Sequence, residues 1–389
     1  LSDTQFSLIH GLAFAIFYGI MGIPIARLAD TRSRPLIIVC GVAVWSVATA
    51  ACGLARNFWQ LFAARMAVGT GEAALSPATY SMIADTFPRE KLGLALGVYS
   101  LGAFLGSGLA LVIGGFVITW ATGIGPQTLP VIGTVQPWQM TLFIVGAPGL
   151  LLAGIFRFTV RDPVRKGAAE DFPFKSVLAY VSMHRRAFLA HYVGFSCLAL
   201  TCFALLFWAP AYLFRNFGLS PKEAGTYLGA IVLVSNSAGV LSGGLLADYF
   251  TRRGHVDAAL RAGIVGGLGV IIPAALFSSA PGLWPTLAVL GIAMYFAGYP
   301  LATSALAAQL MAANRMRAQV TALFYLMLNI IGITGGATLV ALCTDYLFHD
   351  EKLVGYSMSL VAVTGALAGT SLLAWGMKHY RATAEQLAP

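Results

Sequence analysis

The stretch Ala26-Arg27-Leu28-Ala29-Asp30-Thr31-Arg32-Ser33-Arg34 is an island of charge where two apolar runs meet, residues 6–28 and 35–55. As a helix, roughly 20 apolar residues cross the ~30 Å hydrocarbon core of a bilayer, so each run is long enough to span one. Outward from this pair the alternation repeats. Further apolar segments lie near 58–84, 91–118, 138–158, 187–214, 222–247, 259–279, 284–310, 318–345 and 354–377, which makes eleven. Of 389 residues, 58% are hydrophobic and 10% are charged, against about 25% charged in an average soluble domain. Such a chain cannot cover a water-facing surface, and lipid has to be part of its solvent. Only helices satisfy their own backbone hydrogen bonds there at this length, so the fold expected is an all-α membrane protein. Pro24, Pro77, Pro148, Pro210, Pro273 and Pro300 fall inside spans, where membrane helices tolerate kinks.

The net charge of +9 raises the question of a nucleic-acid partner, and its distribution answers it. The basic residues form short clusters between apolar runs rather than one stripe, which indicates orientation in a bilayer and no nucleic acid. Nineteen of the 24 Lys and Arg residues fall in one set of loops, around 27–34, 89–91, 157–186, 252–261, 315–317 and 378–381. The opposite loops hold Arg56, Arg215, Lys222 and Lys352, and Arg65 lies inside a span. The first set is therefore expected to be cytoplasmic, with the C-terminus, in a multi-pass protein of the cell (inner) membrane. Trp59, Trp120, Trp138 and Trp284 fall at the predicted outer edges, as an interfacial belt would. An odd number of spans puts the first residue outside. Leu1-Ser2-Asp3-Thr4-Gln5-Phe6-Ser7 reads as a helix N-cap without an initiating Met, so one further span is expected before it. The first visible span is numbered second here.

The halves echo one another. Gly244-Leu245-Leu246-Ala247-Asp248, ending in Arg252-Arg253, repeats the first charged loop, and Arg89, Lys91, Tyr99 and Gly106 recur 226 positions later as Arg315, Arg317, Tyr325 and Gly332. The expected organisation is an N-terminal half, 1–158 (spans two to six); a linker, 159–186, in which Lys175 to Arg186 forms an amphipathic surface helix; a C-terminal half, 187–378 (spans seven to twelve); and a cytoplasmic tail, 379–389. Two similar six-span halves with a site between them is a transporter layout. The five cysteines lie in apolar runs, with no CxxC and no metal-spaced Cys/His set, so neither a disulfide framework nor a metal or other cofactor is expected. HExxH, GxSxG and Walker-type loops are absent from the sequence, which argues against an enzyme or an ATP-driven pump. The two hinged halves favour a carrier over a channel.

At this point the residues carry a resemblance. The Leu28-Ala29-Asp30…Arg34 loop is similar to the signature loop of the major facilitator superfamily, although Ala26 and Ser33 stand where that pattern usually has Gly. The stretch Arg65-Met66-Ala67-Val68-Gly69-Thr70-Gly71-Glu72-Ala73, the following Ser76-Pro77…Asp85, and Tyr99…Gly106-Ser107-Gly108 resemble the Spinster-like branch. The superfamily resemblance covers the whole chain. It implies two six-helix halves around a central cavity lined by the fourth helix.

Arg65 and Glu72 are seven residues apart, about 10 Å along one helix face, and Gly69, Ser76 and Tyr80 continue that face at helical spacing. Ionisable groups inside a membrane are expensive and functional by default. The expectation is that Glu72 carries protons and Arg65 anchors an anion through its planar fork. The bland alternative is a neutral carboxyl and a structural Arg that tie helices together. Ser76 and Tyr80, Tyr295 and Tyr299 on the tenth span, Tyr325 and Asn329 on the eleventh, and Asn236 on the eighth are further substrate-binding candidates, the four-apart pairs each sharing a face. Single polar groups also serve as interhelical glue. His191 is expected at the interface. The Phe-rich seventh span (Phe195, Phe203, Phe207) lines an apolar pocket or faces lipid.

The resemblance further implies a gating role for Asp30, Arg34 and Asp85, with Asp248 and Arg252 as a weaker copy. Its signature Asp caps a helix of the other half, and its Arg pairs with an acid at the end of the fourth span. Ordinary loop charge is the alternative. The implied activity is secondary transport by alternating access in a monomer, proton-coupled, of an amphipathic anionic lipid such as a lysophospholipid or sphingoid phosphate. The alternative cargo is a small organic anion or an amphipathic drug.

Overall fold

The computed structural model describes residues 2–386 except 88, 131–132, 166–172 and 314–315. Lys166 and Arg315 of the basic loops therefore lie outside the described residues, as does the Asp30 side chain. Among the described residues, ten helices are long and apolar enough to cross a membrane. The eleventh expected span, 58–84, is there in two shorter pieces.

The chain divides into two units. The first comprises Leu1–Ala169 and Leu219–Gly229. Its helix α1 (Asp3–Ser7) starts on a capping box: Ser2 Oγ accepts from the Gln5 N–H at 3.1 Å, and Gln5 Oε1 accepts from the Ser2 N–H at 3.2 Å. A π-helical turn, Leu8–Leu12, leads into α2 (Ala13–Thr31), followed by α3 (Arg34–Cys52), α4 (Phe58–Glu72), α5 (Leu75–Thr86), α6 (Arg89–Ile124) and α7 (Pro137–Thr159). Between α6 and α7 a small antiparallel hairpin, β1 (Gln127–Leu129) with β2 (Gly133–Val135), pairs Thr128 with Thr134. It is the one departure from an all-α chain among the described residues, and it lies in a connection.

Helix α3 packs on α4, α5 and α7, and α2 packs on α4. The cores are built of small residues, Ala29, Ala74, Ala78 and Ala153 around Ile37, Ile38 and Met82, with a second cluster of Ala48, Cys52 and Val68. Small side chains let membrane helices approach closely, where packing and not hydrophobic exclusion drives association. Outward-facing Val47, Leu151, Leu152 and Phe158 are more than half exposed, which suits lipid.

The α4–α5 break has a local cause. Pro77 has no N–H to give the Ala73 carbonyl four residues back, and the last turn of α4 closes on itself, Ala73 N–H bonding Gly69 O and Ala74 N–H bonding Gly71 O. The other span prolines, Pro24, Pro148, Pro210, Pro273 and Pro300, sit inside continuous helices.

The second unit comprises Glu170–Gly218 and Ala230–Pro389. It contains α8 (Phe174–Met183), α9 (Arg185–Phe217) and the end of α10 (Pro221–Ile231), then α11 (Ser237–Arg252), α12 (Ala258–Leu276), α13 (Leu283–Leu310), α14 (Arg317–Met327), α15 (Gly335–Leu342) and α16 (Val354–Glu385). Three π-helical turns fall in two of its spans, Val232–Asn236 in one and Leu328–Thr334 with Cys343–Phe348 in another. Helix α9 is the spine, packed on α16, α13 and α15. Much of its apolar surface is buried: Phe188, Phe195, Leu198, Leu205 and Leu213 are at most 2% exposed. Helix α16 runs on through the segment read as a tail. Tyr380 is buried there, and its hydroxyl donates to the Ala307 carbonyl at 3.2 Å.

Candidate functional site

In the first unit, close backbone approach sets the site. A Cβ on Gly69 would lie 2.6 Å from the Phe14 carbonyl oxygen, so α4 and α2 touch there only because position 69 has no side chain. One turn away the Arg65 guanidinium lies over the Phe14 ring, 5.9 Å from its centroid, a cation–π arrangement. Arg65 and Glu72 are both half-buried, and α4 is regular between them. The ~10 Å helical separation therefore holds. Neither forms an ion pair among the described residues, but Glu72 feels the Arg65 charge, as does His10 in the π-helical turn before α2.

The stripe read as one continuous face is instead shared by two helices, because α4 ends at Glu72. Ser76 and Tyr80 belong to α5. The structure still brings them near Glu72. The Tyr18 hydroxyl of α2 lies beside Ser76 and within electrostatic range of Glu72, Tyr80 and Tyr99, and the Tyr80 and Tyr99 rings meet edge-to-face at 5.2 Å. A guanidinium, a carboxyl, an imidazole and three phenols thus line one wall. His10, Tyr18 and Tyr99 were not picked out as site residues from the sequence. The signal available for the first two was spacing: His10, Phe14 and Tyr18 recur at four-residue intervals on an otherwise apolar helix.

At the basic-loop end of the same unit, Arg34 is fully buried. Its Nε donates to Asp162 Oδ1 at 2.8 Å, Nη1 to Ser81 Oγ at 2.9 Å and to Asp85 Oδ2, and Nη2 to the Pro163 carbonyl at 2.7 Å. Its own backbone N–H adds a bond to Asp162 Oδ2 at 3.0 Å. One guanidinium therefore ties the start of α3 to the end of α5 and to the chain beyond α7. Asp162 was not named as a partner from sequence. It follows α7 by three residues, and nothing in its spacing points to Arg34.

In the second unit, Asn236 closes a π-helical turn and donates Nδ2 to the Met294 carbonyl at 3.0 Å. Tyr295 and Tyr299, one turn apart on α13, share a 3.0 Å hydroxyl–hydroxyl bond and both reach Ser242 of α11. A Cβ on Gly239 would overlap the Tyr295 carbonyl, which is why α11 comes close enough for these contacts. Tyr325 and Asn329 do not share a setting. Tyr325 is 41% exposed and Asn329 is 5% exposed, because a π-helical turn begins at Leu328 and shifts the register. π-Turns of this kind recur at functional positions.

Two further expectations change. His191 is not interfacial but wholly buried, ringed by Tyr192, Phe195 and Phe324, with Nε2 2.8 Å from the Ser304 carbonyl. Phe195 is core rather than pocket lining, while Phe203 and Phe207 stack at 5.3 Å. Asp248 and Arg252 are exposed and form no ion pair among the described residues. The charge cluster that does form at the basic-loop end of this unit is Asp257 with Arg261 at 2.9 Å and Arg381 at 2.7 Å. Burial alone would raise the Asp257 carboxyl, yet the bonds from Arg261 and Arg381 outweigh it and hold this group below the usual carboxylate range.

The profile of the Major Facilitator Superfamily matches residues 1–336. An MFS-type efflux pump of Mycolicibacterium smegmatis is 27% identical, over 98% of this chain and 86% of its own. Human protein spinster homolog 1 is 24% identical, over 96% and 74% respectively. Among solved structures, a bacterial homologue of the human lysosomal transporter Spinster, inward-facing and unoccupied, superposes with a TM-score of 0.76 at 24% identity. That match covers 100% of this chain and 90% of the other.

Proposed function

The chain belongs to the Major Facilitator Superfamily and is a transporter, not an enzyme; on that premise we propose that it is a proton-coupled secondary carrier of an amphipathic anion, a lysophospholipid or sphingoid phosphate. The observation that carries this reading is the pair Arg65 and Glu72, half-buried on one helix two turns apart and not neutralised by each other. A guanidinium offers a planar fork suited to phosphate. A carboxyl at membrane depth changes its charge at a cost that depends on what stands beside it. An anion seated on Arg65 and a proton on Glu72 therefore influence each other through the helix that holds both.

Tyr18, Ser76, Tyr80 and Tyr99 supply uncharged donors around the headgroup, and Phe14 with its apolar neighbours suits a hydrocarbon tail. Tyr295, Tyr299, Asn236, Tyr325 and Asn329 are the second unit's share of the substrate contacts. Arg34, Asp85 and Asp30, with Asp248 and Arg252 as their weaker counterparts, form the gating set. The carrier works as a monomer by alternating access in the cell (inner) membrane, with its basic loops and C-terminus in the cytoplasm. The lipid cargo is what the sequence resemblance to the Spinster-like branch suggests.

The test is uptake by reconstituted protein in liposomes, with a panel running from long-chain lysolipid to short organic acids, each with and without a pH gradient. Saturable lysolipid flux driven by the gradient is expected. Glu72→Gln should make that flux indifferent to the gradient while lysolipid still binds, and Arg65→Gln should weaken binding of the anion. Gradient-driven flux that survives Glu72→Gln unchanged would overturn the assignment of the proton to that carboxyl.

A further inference from the structure

Helix α8 lies at the basic-loop end of the second unit and is only half covered. Val177 is fully buried, and the Tyr180 hydroxyl donates to the Met311 carbonyl at 2.8 Å, which fixes the helix to the unit's core. Phe174, Leu178 and Met183 remain 40%, 45% and 78% exposed. Between α8, the first turns of α9 and the end of α14 runs a groove of about 490 Å³, within the roughly 300–1,000 Å³ of ligand sites. Its walls are Leu178 and Val181 of α8, Phe188, Leu189 and Tyr192 of α9, and Met327 of α14. Arg185 and Arg186 also line it, both exposed and without an ion pair among the described residues.

A trough lined mainly by apolar side chains and by two guanidiniums suits one kind of molecule in a bilayer. We propose that this groove holds an anionic phospholipid of the leaflet facing the basic loops, its phosphate on Arg185 and Arg186 and part of an acyl chain along α8 and α9. Three features favour this occupant. The chain is embedded in lipid, the two guanidiniums form no ion pair among the described residues and complement a phosphate, and α8 keeps an uncovered apolar face. Basic side chains beside a membrane helix attract anionic headgroups in this way, and a partly covered amphipathic helix rests at the acyl boundary. Its residues all belong to the second unit, whereas Arg65 and Glu72 belong to the first. The lipid held here is a resident, not cargo.

The test uses the full-length protein, delipidated and then reconstituted in phosphatidylcholine nanodiscs with increasing phosphatidylglycerol, with native mass spectrometry counting the lipid retained. The parent protein should keep phosphatidylglycerol and shed phosphatidylcholine. The exposed pair change Arg185→Gln with Arg186→Gln should weaken retention about thirtyfold, the loss expected for two basic groups at a lipid surface. Val181→Trp, which fills the groove and keeps the charge, should weaken it too. Arg65→Gln should leave it intact. Equal retention by the double variant, equal retention of phosphatidylcholine, displacement by inorganic phosphate, or loss in Arg65→Gln would each overturn the proposal.

Discussion

Replacing Arg34 with Met keeps most of the side-chain volume and removes every polar contact its side chain makes. Arg34 uses four of its five side-chain N–H groups, on Asp162, Ser81, Asp85 and the Pro163 carbonyl. The change strands two carboxylates whose side chains are 14% and 29% exposed. Removing one partner from a buried ion pair costs about 3–5 kcal/mol, because a charge is left uncompensated. The partial exposure of Asp162 pulls the expectation toward the lower figure. For a unit of this size each kcal/mol moves the midpoint by about 2–4 °C, so the variant should melt about 6–12 °C lower in detergent. Arg34→Lys should recover only part of this, since an ammonium has three donors and no fork. Adding Asp162→Asn to Arg34→Met should restore stability relative to the single variant, as the stranded charge disappears. A melting shift of less than about 2 °C, or strict additivity of the two changes, would show that the cluster does not hold the three segments together.

Gly239→Ala should cost about 1–3 kcal/mol or more by overpacking, because the new methyl meets the backbone carbonyl of Tyr295, which cannot swing aside; thermal unfolding reads this, and lost uptake alone would not. Asp257→Asn should remove roughly 1–3 kcal/mol at neutral pH. Since the folded carboxyl sits below its ordinary value, its contribution is complete above about pH 4 and is lost as pH falls through the folded value. Stability of the parent should therefore fall more steeply below pH 4 than that of Asp257→Asn, and parallel acid limbs would contradict the pairing. Trp208→Phe should cost about 1 kcal/mol, for it leaves the Ala337 carbonyl without the indole N–H now 2.9 Å away.

From the sequence alone, the membrane class and the order of the spans could be read, because both rest on the length and composition of segments that lipid constrains one at a time; the superfamily came from the resemblance of one loop. Eleven apolar runs, charge swept into alternate loops, and the Leu28-Ala29-Asp30…Arg34 island needed no knowledge of what packs on what. The same holds for Arg65 and Glu72, since a charge inside an apolar run is conspicuous wherever its helix ends up. What surrounds that pair was not legible. Whether the helix runs on past Glu72 depends on how Pro77 and the preceding turn share their hydrogen bonds. His10 and Tyr18 join the wall because α2 meets α4 at Gly69, a contact between distant segments. Asp162 joins Arg34 across 128 positions, and the π-turn at Leu328 sends Tyr325 and Asn329 to different environments despite their four-residue spacing. Periodicity reports the direction a side chain takes from its own helix. Only tertiary packing decides what it meets there.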